Sequence, residues 1–245
     1  MTKKINLTKN KEYFYILGVL LGDGNILHDR IRIAVKDKDF ILKCQKCIQS
    51  CFKEKCKIRK RDNHGFCSKL KTSYLYHLNF CSTIASKIIQ QDIKELSKLK
   101  DKEKFTAFLE GIYDSEGCVD KDRMRIRLIM RNFSIKTIKL ISIFLTYLKI
   151  NFQIRLFKAK GRFGIRKWLI VDIDEANSLK FHQNMQFSIK RKRERLENHC
   201  KTYQKKWLDE AIKREETKIL HEKEWCKKYN LTRNQYYRHK RLLKL

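Results

Sequence analysis

The chain has 245 residues, enough for one large domain or two small ones. Its hydrophobic share of 42% is typical of a globular protein, whereas 58 Lys and Arg against 27 Asp and Glu give a formal net charge of +31. This excess predicts a polyanionic partner, with nucleic acid as the first candidate. A membrane-surface protein can be equally basic, but no run of about 18 apolar residues is present, so we expect neither a transmembrane span nor a membrane partner.

The first half of the chain predicts the order helix, hairpin, helix, hairpin, helix, after a polar arm at residues 1–11. Within the strand Arg30–Val35, arginines alternate with isoleucines, which is the pattern of a half-buried strand. The predicted elements are the helix Lys11–Asp23, the strands Asn25–His28 and Arg30–Val35, the helix Asp37–Phe52, the strands Cys56–Asp62 and Tyr74–Phe80, and the helix Thr83–Ile93. A short polar segment, Lys94–Lys102, joins the two halves.

The second half repeats this order. Its clearest strand is Arg123–Arg131, in which four arginines and Ile129 lie on one face and apolar residues on the other. The predicted elements are the helix Glu103–Glu116, the strand Arg123–Arg131, the helix Ser134–Lys149, the strands Phe152–Lys158 and Arg166–Ile173, and the helix Asp174–Phe187. Together the halves predict an α+β protein with antiparallel sheets.

Two apolar helical stretches, Ile16–Gly24 and Leu109–Gly117, read as copies of each other. Each carries two small residues four positions apart, which places them on one face of a helix. Small residues at this spacing allow two helix backbones to approach closely. They are Gly18 and Gly22 in the first copy, and Gly111 and Ser115 in the second.

Each copy ends in an acid followed by a glycine, as Asp23-Gly24 and Glu116-Gly117. The glycines suit left-handed helix caps. An acid at a helix C-terminus is unfavourable, because that end already carries partial negative charge. Two such ends side by side would repel unless a cation lies between them. A hard divalent cation with oxygen ligands fits this arrangement, Mg²⁺ first.

These residues resemble the paired LAGLIDADG motifs of the single-chain homing endonucleases, and the resemblance spans roughly residues 12–195. It implies a duplicated αββαββα fold with pseudo-twofold symmetry, whose two saddle-shaped antiparallel sheets lie over the DNA major groove. It also implies a monomer that cuts both strands of a long asymmetric target with Mg²⁺, for which Mn²⁺ can substitute. By position, the metal-binding acids are Asp23 and Glu116, with backbone carbonyls, those of Gly22 and Ser115, and waters completing the shell.

The resemblance also implies basic residues that act on DNA. In the family, a basic residue just after the second strand of each half stands near the attacked phosphate. By resemblance these residues are Lys36 and Arg131, although the glutamine often found before that lysine is absent in both halves. Arginine suits phosphate and guanine, so we expect the basic strand faces to contact DNA rather than to be merely solvated. The expected contacts are Arg30, Arg32, Lys57, Arg59, Arg61, Arg123, Arg125, Arg127, Arg155 and Arg166.

The composition of the sequence changes after Ser188, where charged residues become frequent. A long charged helical stretch is followed by two short helices around Asn230, and Thr232 is a suitable N-cap. Residues 222–245 therefore predict a small helix-turn-helix whose second helix would enter DNA, with a basic extension that packs on the core or hangs free as the alternative. This gives three predicted segments, at residues 1–100, 101–190 and 191–245.

The nine cysteines favour reduced thiols inside a cell, because their number is odd and no signal-peptide pattern is present. We therefore expect an intracellular protein, in a compartment that the sequence does not identify. Cys44 and Cys47 form a CxxC with Cys51 nearby, which is compatible with zinc. Their helical spacing favours instead a role as small buried hydrophobes.

Two alternatives to the endonuclease keep the same scaffold. A LAGLIDADG-like domain joined to a helix-turn-helix resembles the WhiA-type transcription regulators, which bind DNA without cutting it. An intron maturase would use the fold to bind structured RNA. The acids Asp23 and Glu116 and the basic residues Lys36 and Arg131 favour cutting, whereas the helix-turn-helix favours the regulator and the basic surface does not separate DNA from RNA.

Overall fold

A computed structural model describes residues 7–63, 73–120, 125–130, 135–161 and 164–242. The first half contains three helices and four strands, followed by a single 3₁₀ turn at Leu96–Lys98. They are α1 (Lys11–Leu21), β1 (Gly24–Ile26), β2 (Arg30–Val35), α2 (Lys38–Phe52), β3 (Lys57–Asn63), β4 (Ser73–Cys81) and α3 (Thr83–Glu95).

The second half has the same order of elements. They are α4 (Lys102–Glu116), β5 (Gly117–Val119), β6 (Ile126–Met130), α5 (Ile135–Tyr147), β7 (Gln153–Gly161), β8 (Gly164–Ile173) and α6 (Glu175–Asn184). The strand orders are β1-β2-β4-β3 and β5-β6-β8-β7, and all neighbouring strands are antiparallel. The predicted duplicated α+β fold is thus confirmed, although the sequence did not reveal β5 as a strand of its own.

Each sheet buries one face, as the alternation predicted. In β2, Ile31, Ile33 and Val35 are buried while Arg30 and Arg32 are exposed. In β6, Ile126, Leu128 and Met130 are buried. Clusters of aromatic rings extend these cores onto the helices, with the rings of Phe52 and Phe80 centred 4.9 Å apart in the first half. The opposite face of each sheet therefore carries the basic residues.

The two halves meet where α1 packs against α4, backbone to backbone. A Cβ atom on Gly18 would lie 2.0 Å from the carbonyl oxygen of Phe108, and one on Gly111 would lie 2.1 Å from that of Tyr15. No side chain fits at either position without moving the opposite backbone. The small residues of the two motifs thus set the distance between the halves, as their spacing predicted.

The chain clusters into two compact units, Met1–Glu197 and Asn198–Leu245. Helix α7 (Lys190–Ile219) begins in the first unit and ends in the second, which also contains α8 (Glu222–Tyr229) and α9 (Arg233–Leu242). In the second unit, Trp225 is fully buried against the rings of Tyr229 and Tyr236. None of the described helices is both long enough and apolar enough to cross a membrane.

The cysteines of α2 lie in the hydrophobic core. Cys44, Cys47 and Cys51 are buried along the inner face of the helix. Burial raises the pKa of Cys47 to about 11 and that of Cys51 to about 12, so both stay protonated near neutral pH. Within the described ranges, no group of three or more His, Cys, Asp or Glu residues is placed to hold a metal ion.

Candidate cleavage site and nucleic-acid interface

The two predicted metal-binding acids stand at the C-terminal ends of the central helices. Asp23 follows the cap of α1, and Glu116 is the last residue of α4. A Cβ atom on Gly22 would lie 2.1 Å from Ser115 Oγ and 3.0 Å from Glu116 Cγ, so the two acid-bearing ends are in contact. The first strand of each sheet begins one residue beyond its acid. The helix packing therefore brings Asp23 and Glu116 together where both sheets start.

The glycines that follow the acids do not form the left-handed caps that the sequence suggested. Gly117 is extended, with φ −78° and ψ 148°, and the φ of Gly24 also lies outside the left-handed region. Both positions need glycine for space instead. A Cβ atom on Gly24 would lie 2.4 Å from the Cα of Leu20, and one on Gly117 would lie 2.3 Å from the carbonyl oxygen of Tyr113. The chain turns so sharply from helix to strand that it touches its own last helical turn.

The surroundings of Asp23 disfavour the charged form of its carboxylate. Its side chain reaches the surface, yet the protein packed around the carboxylate raises its pKa, and the negative charge of Asp37 raises it further. The positive charge of Lys192 opposes both effects. A cation bound beside Asp23 would therefore stabilise its negative charge.

Lys192 is a buried cation that the sequence did not single out. Its side chain is 6% exposed, and its Nζ donates to the backbone carbonyls of Asp114, at 2.6 Å, and Tyr113, at 3.3 Å. The Tyr113 carbonyl also accepts from the cap amide of Gly117, whereas Asp114 lies in the last turn of α4, where the helix runs out of backbone donors. A signal was present, because Ile189, Lys192 and Leu196 fall at helical spacing and both apolar neighbours are buried. The surrounding run of basic residues concealed it.

The acid Asp114 connects both motif helices to the segment that carries Lys192. It is 1% exposed and accepts hydrogen bonds from Tyr15 Oη of α1, at 2.7 Å, and from the backbone amide of Ser188, at 2.9 Å. The Ser188 hydroxyl also donates to it. Burial raises the pKa of Asp114, and these donors counteract the shift. Sequence analysis missed this network because its members are far apart along the chain.

The same segment also contacts the first half. Arg191 forms a two-pronged ion pair with Asp37, with both N–O distances at 2.8 Å, and this pairing lowers the pKa of Asp37. The backbone amide of Lys190 donates to Asp39 at 2.6 Å. Residues 188–192 therefore bridge the start of α2 and the end of α4. We call residues 188–192 the bridging segment.

Of the two cations predicted to stand near the attacked phosphate, Lys36 lies within the described residues. Lys36 directly follows β2, is exposed, and adjoins Asp37, whose pKa its charge helps to lower. Arg131 lies outside the described residues, as does Arg123. Arg166 belongs to β8, but its side chain is not described.

The outer face of the first sheet is open and cationic. Register places Arg32, Asn79 and Lys57 side by side across β2, β4 and β3. The next pair on this face is His77 and Arg59, and the arginines around His77 help burial to lower its pKa, which favours the neutral ring. The exposed basic residues of this face are Arg30, Arg32, Lys57, Arg59 and Arg61. Within the described strands their side chains share the surface with polar hydrogen-bonding groups.

The outer face of the second sheet is partly neutralised by Asp172. This acid is 5% exposed and lies 2.7 Å from Arg155, 3.6 Å from Arg125 and 3.8 Å from Arg127. Arg127 also pairs with Asp120 at 2.9 Å. The strand pattern alone hid these pairs, because both acids lie outside β6.

Further along the same face, the second sheet becomes apolar. Ile129 is opposite Ile170, and the rings of Phe157 and Trp168 are centred 5.5 Å apart. Phe157 is 52% exposed. The two sheets therefore present different chemistry on the faces that the sequence assigned to DNA.

Comparison with known structures decides the fold. I-DmoI in complex with DNA and Mn superposes with a TM-score of 0.53 at 21% identity, covering 73% of this chain and 97% of that one. I-WcaI bound to its DNA recognition sequence gives a TM-score of 0.54 at 13% identity, covering 77% of this chain and 88% of that one. The chain has the fold of the LAGLIDADG homing endonucleases.

Other similarities are less specific. Full-length WhiA from Thermotoga maritima superposes with a TM-score of 0.51 at 14% identity and covers 97% of this chain and 91% of that one. An uncharacterized protein of Methanocaldococcus jannaschii is 29% identical over 212 residues, which are 80% of this chain and 74% of the relative. No protein-family model matches the sequence.

The donor atoms at the LAGLIDADG helix ends fit a hard divalent metal. They comprise two carboxylates and the backbone carbonyls of the last helical turns, which are oxygen ligands of the kind Mg²⁺ takes with few protein groups and substrate phosphates. The neighbouring structures of I-DmoI contain DNA together with Mn or Ca. The residues that would hold such an ion in this chain are Asp23 and Glu116, with the carbonyls of Gly22 and Ser115.

Proposed function

We propose that this protein is a site-specific DNA endonuclease of the homing type, which hydrolyses both strands of a long asymmetric target with a divalent metal. One observation carries the proposal. The α1–α4 packing puts Asp23 and Glu116 together at the point from which two basic sheets extend. Two acids so placed supply the metal-binding centre, and two sheets with different side chains supply an asymmetric reading surface for a monomer.

In this mechanism the chain positions DNA and metal. Asp23 and Glu116, with the carbonyls of Gly22 and Ser115, would hold the divalent ion, Mg²⁺ or Mn²⁺. Bound there, the ion would supply an activated water and neutralise charge on the attacked phosphate. Lys36 and Arg131 stabilise the phosphate, and the basic residues of both sheets bind the DNA backbone and base edges.

The first experiment tests cleavage. A plasmid library carrying host-genome inserts is incubated with the full chain in Mg²⁺ or EDTA, alongside Asp23→Asn and Glu116→Gln. We expect discrete double-strand cuts that need Mg²⁺ and fall by about 100-fold or more in each variant. The melting temperature of each variant provides the folding control. Tight DNA binding by the wild type with no cut under Mg²⁺, Mn²⁺ or Ca²⁺ contradicts the proposal.

A non-cleaving regulator is the second candidate, favoured by one observation. The similarity to WhiA covers 97% of this chain and therefore includes the second compact unit, whereas that to I-DmoI covers 73%. A regulator predicts sequence-specific binding that EDTA does not change. It also predicts that Asp23→Asn leaves binding and the footprint unaltered.

We further propose that α8 and α9 bind DNA as a helix-turn-helix. The turn between them contains Asn230 in the left-handed conformation, and the Gln235 side chain folds back over the start of α9, where its Oε1 accepts from Thr232 N at 2.8 Å. Arg238 and Arg241 are exposed on α9. Replacing both by Ala in the full chain is expected to shorten the DNase footprint at one end. An unchanged footprint would assign this helix pair another role.

Three expectations from the sequence remain proposals. They are the division at residues 1–100, 101–190 and 191–245, an intracellular location, and intron RNA as a second ligand. The maturase alternative is tested by splicing of a group I intron transcript in the presence of the protein, with the Asp23→Asn variant separating splicing from cutting.

A further inference from the structure

We propose that Lys192 is a positioning residue of the cleavage site, acting as an internal cation that holds the acid-bearing ends of α1 and α4 together before a metal binds. This inference rests on the proposed nuclease function for its meaning, but it concerns a different residue from those that would hold the metal. It assigns the bridging segment, residues 188–192, to the site.

The need for such a cation follows from the packing of the helices. Each helix C-terminus carries about half a negative charge, and here each also carries a carboxylate. The contact of Gly22 with Ser115 and Glu116 places the two ends directly against each other. Without a positive charge nearby, the two ends would repel each other in a setting partly shielded from water.

Lys192 meets that need from inside the protein. Its ammonium is buried, and its two hydrogen bonds go to the carbonyls of Tyr113 and Asp114, in the last turn of the helix that ends at Glu116. Burying an unpaired ammonium is costly, so its position is stable only where the surrounding potential is negative. The acids whose charges act on it are Asp114, Asp37 and Asp23, while Arg191 opposes them.

The bridging segment fixes where that charge lies. Ser188 is bonded to Asp114 on one side, and Arg191 is paired with Asp37 on the other. Lys192 therefore cannot swing into solvent without breaking contacts to both halves. This location differs from that of a flexible surface lysine such as Lys190, whose side chain is 73% exposed.

The test is a double-mutant cycle read by thermal unfolding of the full chain without divalent metal. Lys192→Met keeps the unbranched stem of the side chain and removes its charge, and Lys190→Met is the matched control. We expect Lys192→Met to lower the melting temperature by on the order of 10 °C and Lys190→Met to change it by about 2 °C or less. In an Asp23→Asn background, the effect of Lys192→Met is expected to shrink clearly, since one repelling charge has gone.

A second readout uses the metal alone. If Lys192 supplies the balancing charge, then Ca²⁺ or Mg²⁺ should raise the melting temperature of Lys192→Met by several degrees more than that of the wild type or Lys190→Met. The inference is overturned if the effects of Lys192→Met and Asp23→Asn on the melting temperature add, and if the metal raises the melting temperature of all three proteins equally. Should Lys192→Met fail to fold, Lys192→Arg must fold, because a fold that tolerates neither depends on side-chain shape rather than on charge.

The failures of the two proposals are distinguishable. Absence of cleavage by the wild type removes the nuclease function while the unfolding cycle still decides the charge balance at Asp23. Cleavage by a stable Lys192→Met protein with an unchanged Mg²⁺ dependence and additive cycle removes the inference and leaves the nuclease intact.

Discussion

The two sheets share a strand order but present different outer faces. The first sheet exposes five basic side chains among Asn79, His77 and other polar groups, and its described strands place no acid on that face. The second sheet gathers three arginines around Asp172 and then becomes apolar at Phe157 and Trp168. A duplicated backbone has thus acquired one surface on which Arg30 pairs with the exposed Asp29, and another whose arginines are gathered around a buried acid.

This difference bears on how a target would be read. Free arginines gain most from phosphate contacts and give binding a steep salt dependence. Arginines held by a buried acid are pre-oriented, and they must exchange an existing partner for DNA. Apolar side chains contact thymine methyl groups without using charge. We therefore expect the half of the target under the first sheet to contribute most of the electrostatic affinity.

The largest expected effect comes from disrupting the packing of α1 against α4, which joins the two halves and their sheets. Gly18→Ala places a Cβ atom 2.0 Å from a backbone carbonyl and forces α1 and α4 apart, which we expect to cost about 3 kcal/mol or more of unfolding free energy. Urea unfolding measures it. Gly22→Ala is the comparison variant, with a smaller expected loss, since its Cβ would meet side-chain atoms of Ser115 and Glu116 at the helix ends rather than a backbone carbonyl within the helices. Equal losses in both variants would contradict the backbone-contact explanation.

The contact between α1 and α4 was also the part of the site that the sequence predicted best. The spacing of small residues and terminal acids predicted the helix contact, and the alternation in β2 and β6 predicted which face is buried, because both are local patterns. Lys192, Asp114 and Asp172 were missed because their roles arise from partners more than forty residues away or from strand register. The prediction of left-handed caps at Gly24 and Gly117 was wrong. Glycine is needed at both positions because a Cβ atom would collide with the preceding helical turn, not because the backbone is left-handed.

The next test compares one arginine from each sheet. Arg32→Ala is expected to weaken DNA binding by about 1–3 kcal/mol, because Arg32 is exposed and lies among groups that can read base edges. Arg127→Ala should cost less, since Arg127 already pairs with Asp120 and Asp172. Fluorescence anisotropy with a selected target at several salt concentrations measures both. A larger loss for Arg127→Ala would reverse the assignment of the two faces.

Removing the acid that pairs with the arginines of the second sheet should make that sheet bind DNA more as the first sheet is expected to. Asp172→Asn removes the acid that engages Arg125, Arg127 and Arg155, so we expect tighter non-specific DNA binding and a salt slope steeper by up to about 3. Thermal unfolding should show a loss of stability, because buried ion pairs are broken from one side. Asp29→Asn, at the exposed partner of Arg30, is the control. An unchanged slope would mean that these arginines do not reach DNA even when freed.

The smallest expected effect uses one cysteine on each face as a reporter. Register places Cys81 beside Arg30 on the first sheet and Cys118 beside Arg127 on the second. Burial raises the pKa of Cys118, whereas Cys81 is exposed, so iodoacetamide should modify Cys81 several times faster near neutral pH. Mass spectrometry of timed samples measures both rates, with the buried Cys44 as the marker of unfolding. Bound target DNA should slow both reactions if both faces contact it. Protection of Cys81 alone would restrict the interface to the first sheet and leave the apolar face of the second for another ligand.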